Sequence, residues 1–206
     1  RPLRRVFSRA LRAAIRADRA AGMQPAGVIL CAGGTSVGAF DRIAECIAAA
    51  RAEGVPVHVD AAWAGSAMIC PEFRALWAGG EGAESIVFNP HKWLGAQFDC
   101  SIQFLRDPGA QVRTLGLRPT YLETAGREEI VNFNEWTVPL GRRFRALKLW
   151  FVLRAYGLEG LRGRIRNHIA WALTSRDQLA ALPGVEIVTE PRLSLRRMRR
   201  PRRRSV

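Results

Sequence analysis

AGVILCAGGTSVGAFDRIAECIAAARAEGVPVHVDAAWAG, residues 26–65, reads as strand, glycine turn, helix and second strand. GVILC (27–31) is a short apolar run bounded by small residues, and AGGTSVGAF surrounds Thr35 and Ser36 with flexible chain. Asp41 stands where a carboxylate caps a helix running to about Glu53, with Ile43 and Ile47 on one face. VPVHVD (55–60) then alternates with the period of a half-buried strand. SIVFN (85–89) and SIQFL (101–105) are two more strands. The dozen or so residues between them hold no clear helix, which leaves room for one antiparallel member. Helices alternating with short apolar strands predict an α/β fold, a mostly parallel sheet flanked by helices.

Residues 3–20 place Leu3, Phe7, Leu11 and Ala14 or Ile15 at helical spacing with Arg between them, an amphipathic helix ending near Gly22. From Gly141 the chain turns helical again, with Phe144, Leu147, Phe151 and Ala155 on one stripe. After Gly157 a second helix, from about Glu159 to Leu182, carries Leu161, Ile165, Ile169, Ala172 and Leu179. VEIVTE (185–190) suits the start of a strand. RLSLRRMRRPRRRSV has no period that would bury a face, and a disordered Arg-rich tail is expected there.

The 206 residues fit one ordinary domain, and an apolar fraction of 48% suffices for a real core. The formal net charge is +14, but it is unevenly spread. Residues 1–20 hold seven Arg and one Asp, and residues 191–206 hold eight Arg and no acid. The stretch between them has 17 basic and 17 acidic side chains and is neutral. That distribution argues against a general nucleic-acid surface, although a basic nucleic-acid-binding module using the two ends remains an alternative. No run of apolar residues is long enough to span a bilayer, and the Arg-rich start lacks the apolar segment of a signal peptide. Cys31, Cys46, Cys70 and Cys100 form no C-x-x-C pair and have no His at zinc-ligand spacing. Buried free thiols in a reducing compartment, hence a cytoplasmic location, are expected.

In open α/β sheets, ligands bind beyond the carboxyl ends of the strands. Three such ends carry polar groups here: Thr35 and Ser36, then Asp60, then Asn89-Pro90-His91-Lys92. Lys92 is telling because Lys148 is the only other lysine beside thirty arginines. An amine can lose its proton and attack a carbonyl, whereas a guanidinium stays charged. A lysine and an aspartate at neighbouring strand ends suit a pyridoxal phosphate site, with the acid against the ring nitrogen. A surface lysine and a helix-capping aspartate would satisfy the same spacing. Trp63 and Trp93 flank this place and could wall it, while His58 and His168 read as structural or, for His168, solvent-facing. Arg142, Arg143 and Arg145 suit ion pairs that anchor their segment.

The longer strings HVDAAWAGSAMICPEF (58–73), FNPHKWLGAQFDCS (88–101), LRPTYL (117–122) and WTVPLGRRFRALKLWFVLRAYGLEGL (136–161) closely resemble the aromatic-L-amino-acid decarboxylase subgroup of the group II pyridoxal-phosphate-dependent decarboxylases. The resemblance runs from about residue 2 to residue 190, and NPHKW differs from the lysine motif of the glutamate branch. It implies the fold-type I, aminotransferase-like large domain. Residues 1–140 would be its second half, 141–184 the long helices leading toward a small C-terminal domain, and 185–206 the start of that domain with the Arg-rich tail.

The resemblance also implies that this chain is a carboxy-lyase converting an aromatic L-amino acid to its amine and carbon dioxide with pyridoxal 5′-phosphate. Lys92 would hold the cofactor as a Schiff base and Asp60 would pair with its ring nitrogen. Ala62 would lie against the ring face, Thr35 and Asn89 would sit near the cofactor, Asn89 toward the phosphate, and His91 would position it. Tyr121 matches the tyrosine of a mobile loop that delivers a proton after carbon dioxide leaves, which favours plain decarboxylation over aldehyde formation. The full-length family is expected to be homodimeric and about twice this length. An incomplete, poorly soluble and weakly active or inactive chain is therefore the expectation, with a non-catalytic relative or half of a split enzyme as the alternative.

Overall fold

The computed structural model describes residues 7–116, 131–189, 192–195 and 197–199. Helix α1 (Ser8–Ala20) precedes strand β1 (Val28–Cys31), helix α2 (Ile43–Ala52) and strand β2 (Val57–Asp60). Three 3₁₀ segments (Ala64–Ile69, Pro71–Trp77 and Gly80–Gly82) lead into β3 (Ser85–Phe88) and β4 (Ile102–Leu105). Helix α3 (Pro108–Leu115), a 3₁₀ turn (Phe133–Trp136), the long helix α4 (Arg145–Ala180) and a small pair, β5 (Glu186–Ile187) and β6 (Met198–Arg199), complete the described chain.

The four-stranded sheet has the order β1-β2-β3-β4. β1 pairs parallel with β2, in register Cys31 with Asp60, and β2 pairs parallel with β3, in register Asp60 with Val87. β3 and β4 are antiparallel, as the short helix-free connection between them predicts. Consecutive parallel strands require a crossover, and α2 supplies the first, lying on β1 and β2 with α1 packed outside it. The core joins Leu30, Val57 and Val59 of the sheet to Ile43, Cys46, Ile47 and Ala50 of α2 and to Ile15 of α1. Leu161 and Ile165 of α4 close the same cluster. All four cysteines are free thiols, and Cys46, Cys70 and Cys100 are buried.

Three local expectations are corrected. The residue flanking the start of α2 is Arg42 rather than Asp41. The Asp41 carboxylate accepts the Cys31 N–H at 2.8 Å, and the Asp41 N–H donates to Cys31 O at 2.9 Å, so this acid staples the end of β1. The stripe of Phe144, Leu147 and Phe151 faces outward; Leu149 and Val152, on another side of the same helix, pack on the core instead. Between β2 and β3 the chain is built of 3₁₀ turns, and Gly65 there sits so close to β3 that a Cβ would lie 2.5 Å from Phe88 Cβ. Finally, the tail is not without structure throughout. Met198 pairs with Ile187, Arg192 bridges to Leu195, and Leu193 is buried.

The break expected at Gly157 is present inside α4, where its φ of 61° and ψ of 175° leave helical space. A side chain is essentially excluded from that region of backbone space. Among the described residues no helix is long and apolar enough to cross a membrane.

Candidate active site

Parallel pairing brings the carboxyl ends of β1, β2 and β3 to one edge of the sheet, with Cys31, Asp60 and Val87 side by side. A run of hydrogen bonds then connects the aspartate to the lysine. Asp60 Oδ1 accepts the Ala62 N–H at 2.9 Å, a local turn that aspartate favours. Ala62 O accepts the Asn89 N–H at 2.8 Å, and Asn89 O accepts the Lys92 N–H at 2.9 Å. Asp60, Ala62, Asn89 and Lys92 are thus held in one place by backbone geometry, although 32 residues of sequence separate the first from the last.

Lys92 is exposed, and among the described residues no carboxylate lies within ion-pair distance of its amine. Asp60 is half-buried, with Oδ1 occupied by Ala62. Asn89 Oδ1 accepts the Ser101 hydroxyl at 2.8 Å, which orients its amide. His91 Nδ1 lies 2.7 Å from Cys100 O and 3.0 Å from Cys100 N, so either tautomer finds a partner on that residue. The His91 ring meets Phe98 edge-on at 4.9 Å. Thr35 is exposed in the turn after β1, which closes through Gly38 N–H to Gly34 O at 2.7 Å. Tyr121 and most of its loop lie outside the described residues.

Two indoles tie the segment after Asp60 to the turn that carries Lys92. Trp63 and Trp93 stack with centroids 4.9 Å apart and planes at 16°. Gly33 lets the turn after β1 approach this pair, since a Cβ there would overlap Ala64 Cβ and come within 3.0 Å of the Trp63 ring. Trp93 is buried, and its Nε1–H donates to His168 Nδ1 of α4 at 2.9 Å. The position of His168, three residues after the buried Ile165, is the sequence signal that it faces inward. His58 Nδ1 lies 2.7 Å from Ser85 Oγ, a structural tie between β2 and β3.

Behind the lysine turn, Asp99 gathers three cations: Arg145 at 2.9 Å, Lys148 at 3.7 Å and Arg143 at 3.8 Å. The hydrogen bond from Arg145 is the main reason its carboxyl is held down at about 2. This cluster joins the start of α4 to the segment after Lys92, as the basic residues of PLGRRFR suggest. On the other flank, Arg166 reaches Glu72 with two hydrogen bonds, 2.6 and 3.2 Å, and lowers that carboxyl to about 2. The Cys31 thiol, next to Asp60 in register, is pushed up by burial first and then by Asp60 and Asp41.

A carboxylate with one oxygen held by a backbone amide, the small Ala62 beside it and a turn with an exposed lysine bonded to the same segment suit a flat, ring-bearing carbonyl cofactor. Comparison with known proteins points the same way. The model of the pyridoxal-dependent decarboxylase conserved domain matches residues 2–197. Aromatic-L-amino-acid decarboxylase of Drosophila lebanonensis is 48% identical over 168 residues, 82% of this chain and 42% of that protein. The crystal structure of Oryza sativa TDC with PLP and tryptamine superposes with a TM-score of 0.91 at 36% identity, covering 96% of this chain and 41% of that one. Rhodiola rosea 4-hydroxyphenylacetaldehyde synthase gives 0.83 at 36%, covering 92% and 38%. The chain therefore spans about two fifths of the length of the relatives it matches.

Proposed function

Since the chain belongs to the pyridoxal-dependent decarboxylase family, we propose that it carries the lysine half of a site that removes the carboxylate of an aromatic L-amino acid. The observation that supports this reading best is the hydrogen-bonded path from Asp60 through Ala62 and Asn89 to Lys92. It holds an acid and an amine at one sheet edge, and neither is consumed by an ion pair among the described residues.

Pyridoxal 5′-phosphate fits these residues. When bound it supplies an electron sink for the pair left as carbon dioxide departs. Lys92 would hold it covalently through Nζ, and Asp60 would keep the ring nitrogen protonated. Ala62 presents only a methyl group, so a ring can lie flat against it. Asn89 and Thr35 would contact the cofactor at its edges, and His91, fixed on Cys100, would limit its tilt. Tyr121 would donate the proton that completes an amine, in preference to an aldehyde product. Residues 1–140 would form the cofactor-binding portion, and 141–184 would lead away from it toward the rest of a homodimeric enzyme.

The test is an absorbance titration of the chain with pyridoxal 5′-phosphate, followed by borohydride trapping and peptide mapping. A band that is lost in Lys92→Ala, with label on Lys92 in the parent, is expected. Labelling spread over the N-terminal amine and Lys148 instead would overturn the assignment. Release of carbon dioxide and amine from aromatic amino acids, compared with aldehyde, then reads the reaction.

A further inference from the structure

His168 lies on α4, 75 residues beyond Trp93, yet its Nδ1 accepts the Trp93 indole N–H at 2.9 Å. Trp93 directly follows Lys92 and is buried at 6% exposure, so its N–H cannot turn to water when that acceptor is lost. The same indole stacks on Trp63, which stands three residues after Asp60 and is crowded by Gly33. A second α4 group, Arg164, reaches Leu94 O at 3.4 Å, and its guanidinium fills the space above Gly95, where φ is +73°. One turn of α4 therefore grips the residues on the C-terminal side of Lys92.

We propose that His168 is a positioning residue. Through Trp93 it fixes the turn that carries Lys92 and the indole stack that joins this turn to the segment after Asp60. The accepting nitrogen must be unprotonated, which places the ring proton of neutral His168 on Nε2. Without the acceptor, the Trp93 ring trades a buried hydrogen bond for an orphaned donor. The stack then loosens, and the turn that carries Lys92 loses one of its supports. The role assigned to the lysine rests on the cofactor reading given above, whereas the grip on Trp93 does not.

Three variants test this in the full chain: His168→Ala, His168→Gln, whose amide oxygen can accept the indole N–H, and Lys92→Ala as control. Near-ultraviolet circular dichroism of the coupled indoles is read without cofactor, and cofactor affinity is read from the Lys92-dependent absorbance band. His168→Ala should lose the indole signal and bind cofactor about tenfold more weakly, the scale of a buried donor left unpaired. Far-ultraviolet dichroism should be unchanged, and His168→Gln should recover both readouts. Parent-like affinity in His168→Ala, or no recovery in His168→Gln, overturns the proposal.

If the parent itself shows no Lys92-dependent band, the cofactor reading fails and amide exchange decides the positioning role separately. Faster exchange over residues 89–96 in His168→Ala, reversed in His168→Gln, then upholds the grip on the lysine turn. Unchanged exchange refutes it.

Discussion

The carbonyl of Ala62 accepts the amide of Asn89 at 2.8 Å and so fastens the end of β2 to the start of the turn that bears Lys92. This bond is made by backbone atoms, so its strength does not depend on the side chain at either position. What side chains must do is stay small on the Ala62 side and keep an acceptor at Asp60.

Asp60 has two roles that substitution can separate. Asp60→Asn keeps an oxygen for the Ala62 N–H and should melt within a few degrees of the parent, but it should lose most of the Lys92-dependent absorbance band. Asp60→Ala should lose the band and also about 1 kcal/mol of stability, since the Ala62 amide then has no acceptor. Equal melting of all three proteins would show that the turn is indifferent to the Asp60 oxygen.

Gly65→Ala tests the close approach to β3. Its Cβ would lie 2.5 Å from Phe88 Cβ and 3.2 Å from Ala61 Cβ, and neither is the free end of a flexible side chain. A loss of about 2 kcal/mol or more in urea unfolding is expected. Parent-like stability would mean that the 3₁₀ segment sits farther from the sheet.

Ile165 is completely buried between α4 and the sheet domain. Ile165→Ala should cost about 3 kcal/mol by leaving a cavity that packed neighbours fill only in part. Leu153→Ala, on the exposed side of the same helix, should change stability by less than about 0.5 kcal/mol. A reversal of these two effects would place the wrong face of α4 inward.

The Asp99 cluster should act as an acid-sensitive fastener. Its carboxyl is lowered from 3.8 to about 2 chiefly by the Arg145 hydrogen bond, so the ionised form is favoured in the folded chain. The resulting stabilisation is fully present above about pH 4 and fades as pH falls toward 2. Parent and Asp99→Asn should therefore differ in urea midpoint at pH 7 and converge on acidification. A gap that stayed constant down to pH 2 would assign the difference to packing instead of charge.

Thiol labelling orders the four cysteines. Burial raises Cys46 to about 11, and it has no exposed surface, so little reactive thiolate exists near neutral pH. Cys31, half-exposed at the strand end, should react first despite its own raised value, and Cys46 only as the chain opens. Equal native-state rates, read by mass spectrometry after a maleimide pulse, would contradict the packing of α2.

The parallel strands and the inward side of the second half of α4 were readable because a period of two, and a spacing of Leu161, Ile165 and Ile169, mark buried faces directly. The aspartate and lysine were legible as residue types at strand ends. Four features were not legible, and each has a non-local cause. Asp41 satisfies the Cys31 amide because the turn of residues 33–40 folds back beside β1, a geometry no capping pattern encodes. Phe144, Leu147 and Phe151 share a helical stripe, but periodicity identifies an apolar face without saying what stands opposite. His168 meets Trp93 only through tertiary packing, so inward spacing hinted at burial and gave no partner. The pairing of Met198 with Ile187 likewise depends on the bridge between Arg192 and Leu195 that turns the chain back.

Gly157 divides α4 by stiffness as well as by direction. With φ and ψ outside helical space, no continuous ladder of hydrogen bonds runs from Arg145 to Ala180. The N-terminal stretch, moored at Asp99, and the C-terminal stretch, which grips Trp93, are two levers meeting at a joint. The lysine turn is thus held from two sides, by the first stretch through Asp99 and by the second through Trp93.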